Sequence, residues 1–161
     1  MLITIVGKRG RGKTSLVKQL IQESDANVIK VLDFIGEYEE EDDSRMIISR
    51  GYVYPFLKEA WNGTLEIEKT LVVLDEIDVY SKYDRFIEFT YKYGRHGAID
   101  MIAVSRTFFN LPVICRRLTD AYFLFSITEW SDIQHLRHHK SPEFCQNIMN
   151  LDFFEYKKVD L

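Results

Sequence analysis

Short, nearly continuous apolar runs recur along this chain, separated by longer stretches of mixed polarity. The runs are Leu2–Val6, Val28–Leu32, Leu71–Leu74, Met101–Val104 and Ala121–Phe125. They are rich in Val, Ile, Leu and Phe and show little polar alternation. Strands covered on both faces read this way, which predicts a mainly parallel sheet flanked by helices. A further apolar stretch, Phe153–Tyr156, predicts an added edge strand. After Thr14, the residues Leu16, Val17, Leu20 and Ile21 fall on one helical face. Phe86, Phe89, Thr90 and Tyr93 do the same, and Ser131 to His139 predicts another helix with Ser131 as its cap. The alternation of strand and helix argues an α/β fold with right-handed crossovers.

Length and composition narrow this picture. With 161 residues and 46% hydrophobic content, the chain suits one domain, residues 1–161, with its own core. A net charge of −4 excludes a general polycation, so a nucleic-acid partner would need a local basic patch. Cys115 and Cys145 form no CxxC and suggest a reducing compartment. The N-terminus lacks the apolar core and cleavage site of a signal peptide, and no run reaches the ~20 apolar residues of a membrane span. The expectation is a soluble, cytoplasmic protein. Glu37 to Asp43 is strongly acidic and reads as a solvated loop, because clustered like charges resist packing.

The chemistry is concentrated in Gly7-Lys8-Arg9-Gly10-Arg11-Gly12-Lys13-Thr14, which fits GxxxxGK[ST] between a predicted strand and a predicted amphipathic helix. Glycines let successive backbone N–H groups turn inward toward phosphate oxygens. The positive end of the helix, which begins near Thr14 and Ser15, adds to that field. Lys13 would reach the β- and γ-phosphates, and the Thr14 hydroxyl would coordinate Mg²⁺. The expected nucleotide-binding residues are therefore Gly7 through Ser15.

A second element is Leu71-Val72-Val73-Leu74-Asp75-Glu76. An apolar strand here ends in two carboxylates, at the sheet edge where α/β proteins bind ligands. Asp75 is placed to hold Mg²⁺, directly or through water, and Glu76 to orient or deprotonate an attacking water. Asp33-Phe34-Ile35-Gly36 fits DxxG, but no NKxD follows anywhere, which favours ATP over GTP.

These motifs, in order, resemble the FtsK–HerA superfamily of DNA-pumping ATPases. Val31 through Tyr38 is similar to the second strand and turn of HerA-type ATPases, with an Asp and then Gly-Glu-Tyr. Gly94 through Arg106 is similar to the family's Gly-Arg pair leading into a strand that ends in a polar sensor. Leu111-Pro112 through Phe125 resembles its next strand. The resemblance implies a RecA-like core and a ring, usually hexameric, with ATP between subunits. It makes Arg95 the finger serving a neighbouring subunit's ATP. Ser105 and Arg106 fall at the sensor, where the family usually has Gln at the latter position; which of them senses the γ-phosphate stays open, and Arg106 is also a candidate finger or DNA contact. Arg116 and Arg117 are candidate phosphate or subunit-interface contacts.

So short a core best resembles a small viral genome-packaging ATPase acting on double-stranded DNA, with capsid, portal or membrane proteins as further partners, in host cytoplasm or on the virion. The alternatives are phage assembly or single-stranded DNA extrusion, as in zonular-occludens-toxin-like proteins, and an ATP-dependent assembly switch with little turnover. Thr107 to Asn110 is a candidate channel-facing loop. His135, His138, His139 and Cys145 read as a polar helix face rather than a zinc site. Tyr52, Tyr54, Phe56 and Trp61 read as packing residues rather than base-stacking ones.

Overall fold

The structure, a computed structural model, describes residues 1–39, 43–50, 52–64, 69–79 and 84–159, leaving aside the side chains of Val53, residues 62–64 and Arg95. In chain order the elements are β1 (Leu2–Val6), α1 (Lys13–Glu23), β2 (Val28–Leu32), β3 (Met46–Ser49), α2 (Val53–Thr64), β4 (Thr70–Leu74), α3 (Arg85–Tyr93), β5 (Ile99–Ser105), α4 (Val113–Leu118), β6 (Ala121–Leu124), α5 (Trp130–Arg137), α6 (Pro142–Met149) and β7 (Lys157–Val159). They form a seven-stranded sheet in the order β3-β2-β4-β5-β1-β6-β7. Every pairing is parallel except β6 with β7.

The apolar runs become strands because both faces of the sheet are covered. Along β1, Leu2 and Val6 join one core, with residues of α2, α3, α5 and α6, while Ile3 and Ile5 join another against Leu16, Val17 and Ile21 of α1. A strand with an apolar layer on each side has no solvated face, so its sequence cannot alternate. All parallel strands end at the same edge, and β1, β2, β4 and β5 deliver the predicted chemistry there.

Three expectations are corrected, and one further strand is found. Phe153–Tyr156 is not a strand: Phe153 and Phe154 sit in a turn, and the edge strand is Lys157–Val159, antiparallel to β6. The edge strand β3 was not expected, since only four residues between charged neighbours carry it. On α3 the buried residues are Ile87, Thr90 and Tyr91, whereas Phe86, Phe89 and Tyr93 are roughly half exposed. Two apolar stripes overlap on this helix, and the sheet selects one. The aromatic stripe instead meets α2, with Tyr54 on Phe86 at 4.1 Å and Trp61 near Phe89 at 5.1 Å between ring centroids. Of the other aromatics in that stretch, Phe56 is core and Tyr52 is exposed.

Finally, α5 begins at Trp130 with Glu129 at its cap position, so Ser131 lies inside the helix. Side-chain caps are made elsewhere: Ser141 accepts from the Phe144 amide at 3.2 Å at the start of α6, and Asp84 accepts from the Phe86 and Ile87 amides at 2.9 and 3.0 Å at the start of α3. Replacing Asp84 by Ala is expected to lower unfolding free energy by about 1 kcal/mol in urea titration, and Ser131→Ala by less than about 0.5 kcal/mol.

Candidate functional site

The loop between β1 and α1 is braced by the strands on either side. The Gly7 amide donates to the Ser105 carbonyl at 3.2 Å, and the Lys8 amide to the Ser126 carbonyl at 3.4 Å. A Cβ on Gly7 would lie 2.5 Å from the Phe125 Cβ, so only glycine lets the loop start this close to β6. Gly12 stands at the helix N-cap with φ 98°, a left-handed conformation that points the following amides into the cleft. Arg9, Gly10, Gly12, Lys13, Thr14 and Ser15 line a cleft of about 250 Å³. Gly7, Lys8 and Arg11 are not among the lining residues, and the Arg11 guanidinium lies over the Phe153 ring, 5.8 Å from its centroid.

Further walls come from β4, β5 and the turn after β2, namely Glu37, Asp75, Glu76, Val104, Ser105 and Arg106, and from Phe154 in the turn before β7. Lys13 Nζ donates to the Lys8 carbonyl at 2.9 Å. Burial pushes its pKa down, while Asp75 and Glu37 oppose that shift. The Asp75 carboxylate is buried and accepts from the Glu76 amide at 2.9 Å. Burial raises its pKa to about 6, against that hydrogen bond and with help from the charges of Glu37 and Glu76. Glu76 itself is in the left-handed region at φ 52°, which turns its side chain away from β4 and toward β5. There Arg106 grips it: Nε donates to Glu76 Oε1 at 2.8 Å, and a terminal guanidinium nitrogen donates to the same oxygen.

Glu37, read as part of a solvated acidic loop, is exposed and also lines the cleft; residues 40–42 of that run lie outside the described residues. Asp33, fully buried at the end of β2, accepts from the Ile35, Gly36 and Tyr38 amides at 3.2, 2.8 and 3.2 Å. That turn brings Glu37 across the cleft to accept a hydrogen bond from the Thr14 hydroxyl. It also buries Tyr38, whose hydroxyl faces Asp75 and has no well-formed partner among the described residues. The legible signal was the Asp followed by Gly-Glu-Tyr, directly after a buried strand.

Other expected groups fall elsewhere. Ser105 lines the cleft, but its hydroxyl donates to the Thr107 carbonyl at 2.6 Å, so Arg106 is the group of this pair that presents charge. Arg95 lies in a short turn of helix, Gly94–Gly97, and its side chain is outside the described residues. Arg116 and Arg117 end α4 where the chain enters β6, at the sheet edge opposite the cleft, so they contact no phosphate bound in this subunit. The Thr107–Asn110 loop is tied down rather than projecting: Phe108 is buried against Tyr122 and His135, and the Phe109 amide donates to buried Asp132 at 2.6 Å.

The donor set suits Mg²⁺, which prefers oxygen ligands and uses few protein groups beside phosphates and water. Thr14 and Asp75 supply a hydroxyl and a carboxylate whose pKa is raised chiefly by burial. Three carboxylates, Glu37, Asp75 and Glu76, share the cleft with three cations, Arg9, Lys13 and Arg106.

The fold has counterparts among solved structures. The genome packaging NTPase B204 from Sulfolobus turreted icosahedral virus 2, in complex with ATP-gammaS, superposes with a TM-score of 0.81 at 15% identity, covering 99% of this chain and 91% of that one. B204, the DNA-packaging ATPase from Sulfolobus turreted icosahedral virus, gives 0.78 at 16% identity over 99% and 91%. The cytoplasmic domain of EssC gives 0.62 at 16% identity, over 88% of this chain and 34% of that one. No curated protein matches by sequence. A family model described as the AAA domain matches residues 1–129, a span that takes in the phosphate loop, Asp75, Glu76 and Arg106, and the chain belongs to that family.

Proposed function

We propose that this chain is an ATP-hydrolysing motor that packages double-stranded DNA into a viral capsid, working in host cytoplasm as a homo-oligomeric ring, with a hexamer as the expected form. The observation that carries the ATPase reading is the meeting, in one cleft, of Lys13 and Thr14 from the phosphate loop with Asp75, Glu76 and Arg106 from the ends of β4 and β5. The packaging reading rests on the sequence resemblance and on the likeness in fold to the packaging ATPases. Capsid or portal proteins are the further partners it calls for.

In the proposed reaction a water oxygen bonds to the γ-phosphorus as the bond from that phosphorus to the β–γ bridging oxygen breaks. Glu76 orients the water and takes its proton. Lys13 leaves the Lys8 carbonyl to contact the β- and γ-phosphate oxygens. Thr14 and Asp75 would hold Mg²⁺, which when bound neutralises phosphate charge. Arg106 holds the Glu76 carboxylate through charge-assisted bonds that occupy the oxygen a water would use. Arg106 must therefore exchange Glu76 for the incoming γ-phosphate, which both frees the base and places a guanidinium on the developing charge. Arg95 is proposed as the contribution of a neighbouring subunit.

Phosphate release from ATP by the purified protein tests this directly. Lys13→Ala and Glu76→Gln are each expected to cut turnover by about a hundredfold or more, with Glu76→Gln still binding ATP. Arg106→Ala is expected to lose on the order of a hundredfold in kcat. Double-stranded DNA is expected to raise wild-type turnover; indifference to DNA would leave an ATPase and remove the motor.

Asp75 sets a pH signature. A carboxyl whose folded pKa is raised to about 6 costs stability as the pH climbs from its unfolded value of 3.8 through that range. Asp75→Asn, stripped of nucleotide and metal by EDTA, is expected to be more stable than wild type at pH 7.5 by about 1–3 kcal/mol. That gain should shrink toward zero near pH 4 in chemical denaturation, while nucleotide hydrolysis is lost.

A further inference from the structure

One wall of the cleft belongs to neither the phosphate loop nor the two strands that carry the carboxylates. Phe154 lines it, from the turn that leads into β7. Its ring lies directly on the phosphate loop: a Cβ on Gly12 would come within 2.3 Å of the Phe154 Cδ1. Phe154 adopts φ 65°, a left-handed conformation that a bulky side chain rarely takes. Such backbone is held only where its surroundings over-determine it.

The surroundings do so. The Glu155 amide donates to the Asp152 carbonyl at 3.2 Å, and the Asp152 amide to Glu155 Oε2 at 3.1 Å, closing the turn on itself. Tyr156 packs on Phe123 and Phe125 of the β6 region at 5.4 and 5.5 Å, and β7 is zipped to β6. The turn is thus tied to the strand that braces the phosphate loop. Phe153 stands edge-on to Phe154 at 5.0 Å between centroids and carries the Arg11 guanidinium over its ring. Despite this anchoring, Phe154 is 59% exposed, an apolar ring offered to the cleft rather than to the core.

The sheet order gives the ring a direction. The phosphate loop leaves β1; the carboxylates and Arg106 leave β4 and β5 on one side of it, and Phe154 approaches from β7 on the other. A nucleoside triphosphate with its γ-phosphate toward Asp75 and Glu76 extends its base toward β7. We infer that Phe154 is the stacking platform for the nucleobase, set by the turn before β7 and backed by Phe153 and Arg11. This deepens the reading of the cleft as an ATP site and rests on it. Stacking on a phenyl ring uses the π face of the base, which every purine offers.

The test compares ATP with inorganic tripolyphosphate, which has the phosphates and no base, by calorimetric titration of the full chain. Phe154→Ala is expected to weaken ATP binding on the order of tenfold and leave tripolyphosphate binding within about twofold. Phe154→Trp is expected to restore ATP affinity and to gain an emission that ATP quenches and tripolyphosphate does not, over the wild-type signal of Trp61 and Trp130. Unchanged ATP affinity in Phe154→Ala overturns the inference and leaves the ATP site standing. Equal weakening of both ligands also overturns it, by making Phe154 a prop for the phosphate loop. Wild-type protein that binds neither ligand overturns the nucleotide reading, and this inference with it.

Discussion

A carboxylate buried at the end of a central strand is expensive, because it loses water without regaining equal solvation. Asp75 is held in that position by β4, which runs between β2 and β5 with an apolar layer on either side. Its proton affinity rises to about 6 as a result. Much of the cleft is arranged around this charge. Lys13 feels it, Tyr38 is buried facing it, and the Glu76 amide bonds to it. In the proposed ATP site a bound metal–nucleotide pair would offset that cost.

The ion pair between Arg106 and Glu76 gives the cleft a second property. Glu76 is the carboxylate proposed to activate water, and both hydrogen bonds from Arg106 fall on one of its oxygens. A resting arrangement of this kind suppresses unproductive proton transfer and is undone by a stronger anion. In the proposed reaction the γ-phosphate is that anion, which would couple binding and activation through one guanidinium. Glu37 on Thr14 makes a parallel case: the hydroxyl expected at the metal is engaged with a carboxylate of the same chain until a ligand competes for it.

Much of this was legible in the residues. The five apolar runs are strands because burial on both faces demands continuous apolar sequence, and the phosphate loop falls between β1 and α1 as its glycine spacing requires. Where two readings shared one period, the sequence could not choose. On α3 the stripe of Phe86, Phe89 and Tyr93 and the stripe of Ile87 and Tyr91 both satisfy helical spacing, and only the position of the sheet decides which is inside. Phe153 and Phe154 read as strand because bulky aromatics favour extended backbone, whereas a turn closed by Asp152 and Glu155 holds Phe154 left-handed.

The sequence by itself determined the class of fold, the phosphate-binding loop and the pair Asp75 and Glu76, because each rests on local pattern: strand continuity, glycine spacing, carboxylates at a strand end. Tertiary structure decided the rest of the site. Glu37 enters the cleft through a turn organised by buried Asp33, Arg106 meets Glu76 from thirty residues away, and Phe154 reaches Gly12 across the sheet. Arg116 and Arg117, equally basic on paper, end at the opposite edge. Charge and aromaticity are written in the sequence one residue at a time, but which groups share a cleft follows from strand order, and strand order is a property of the assembled sheet.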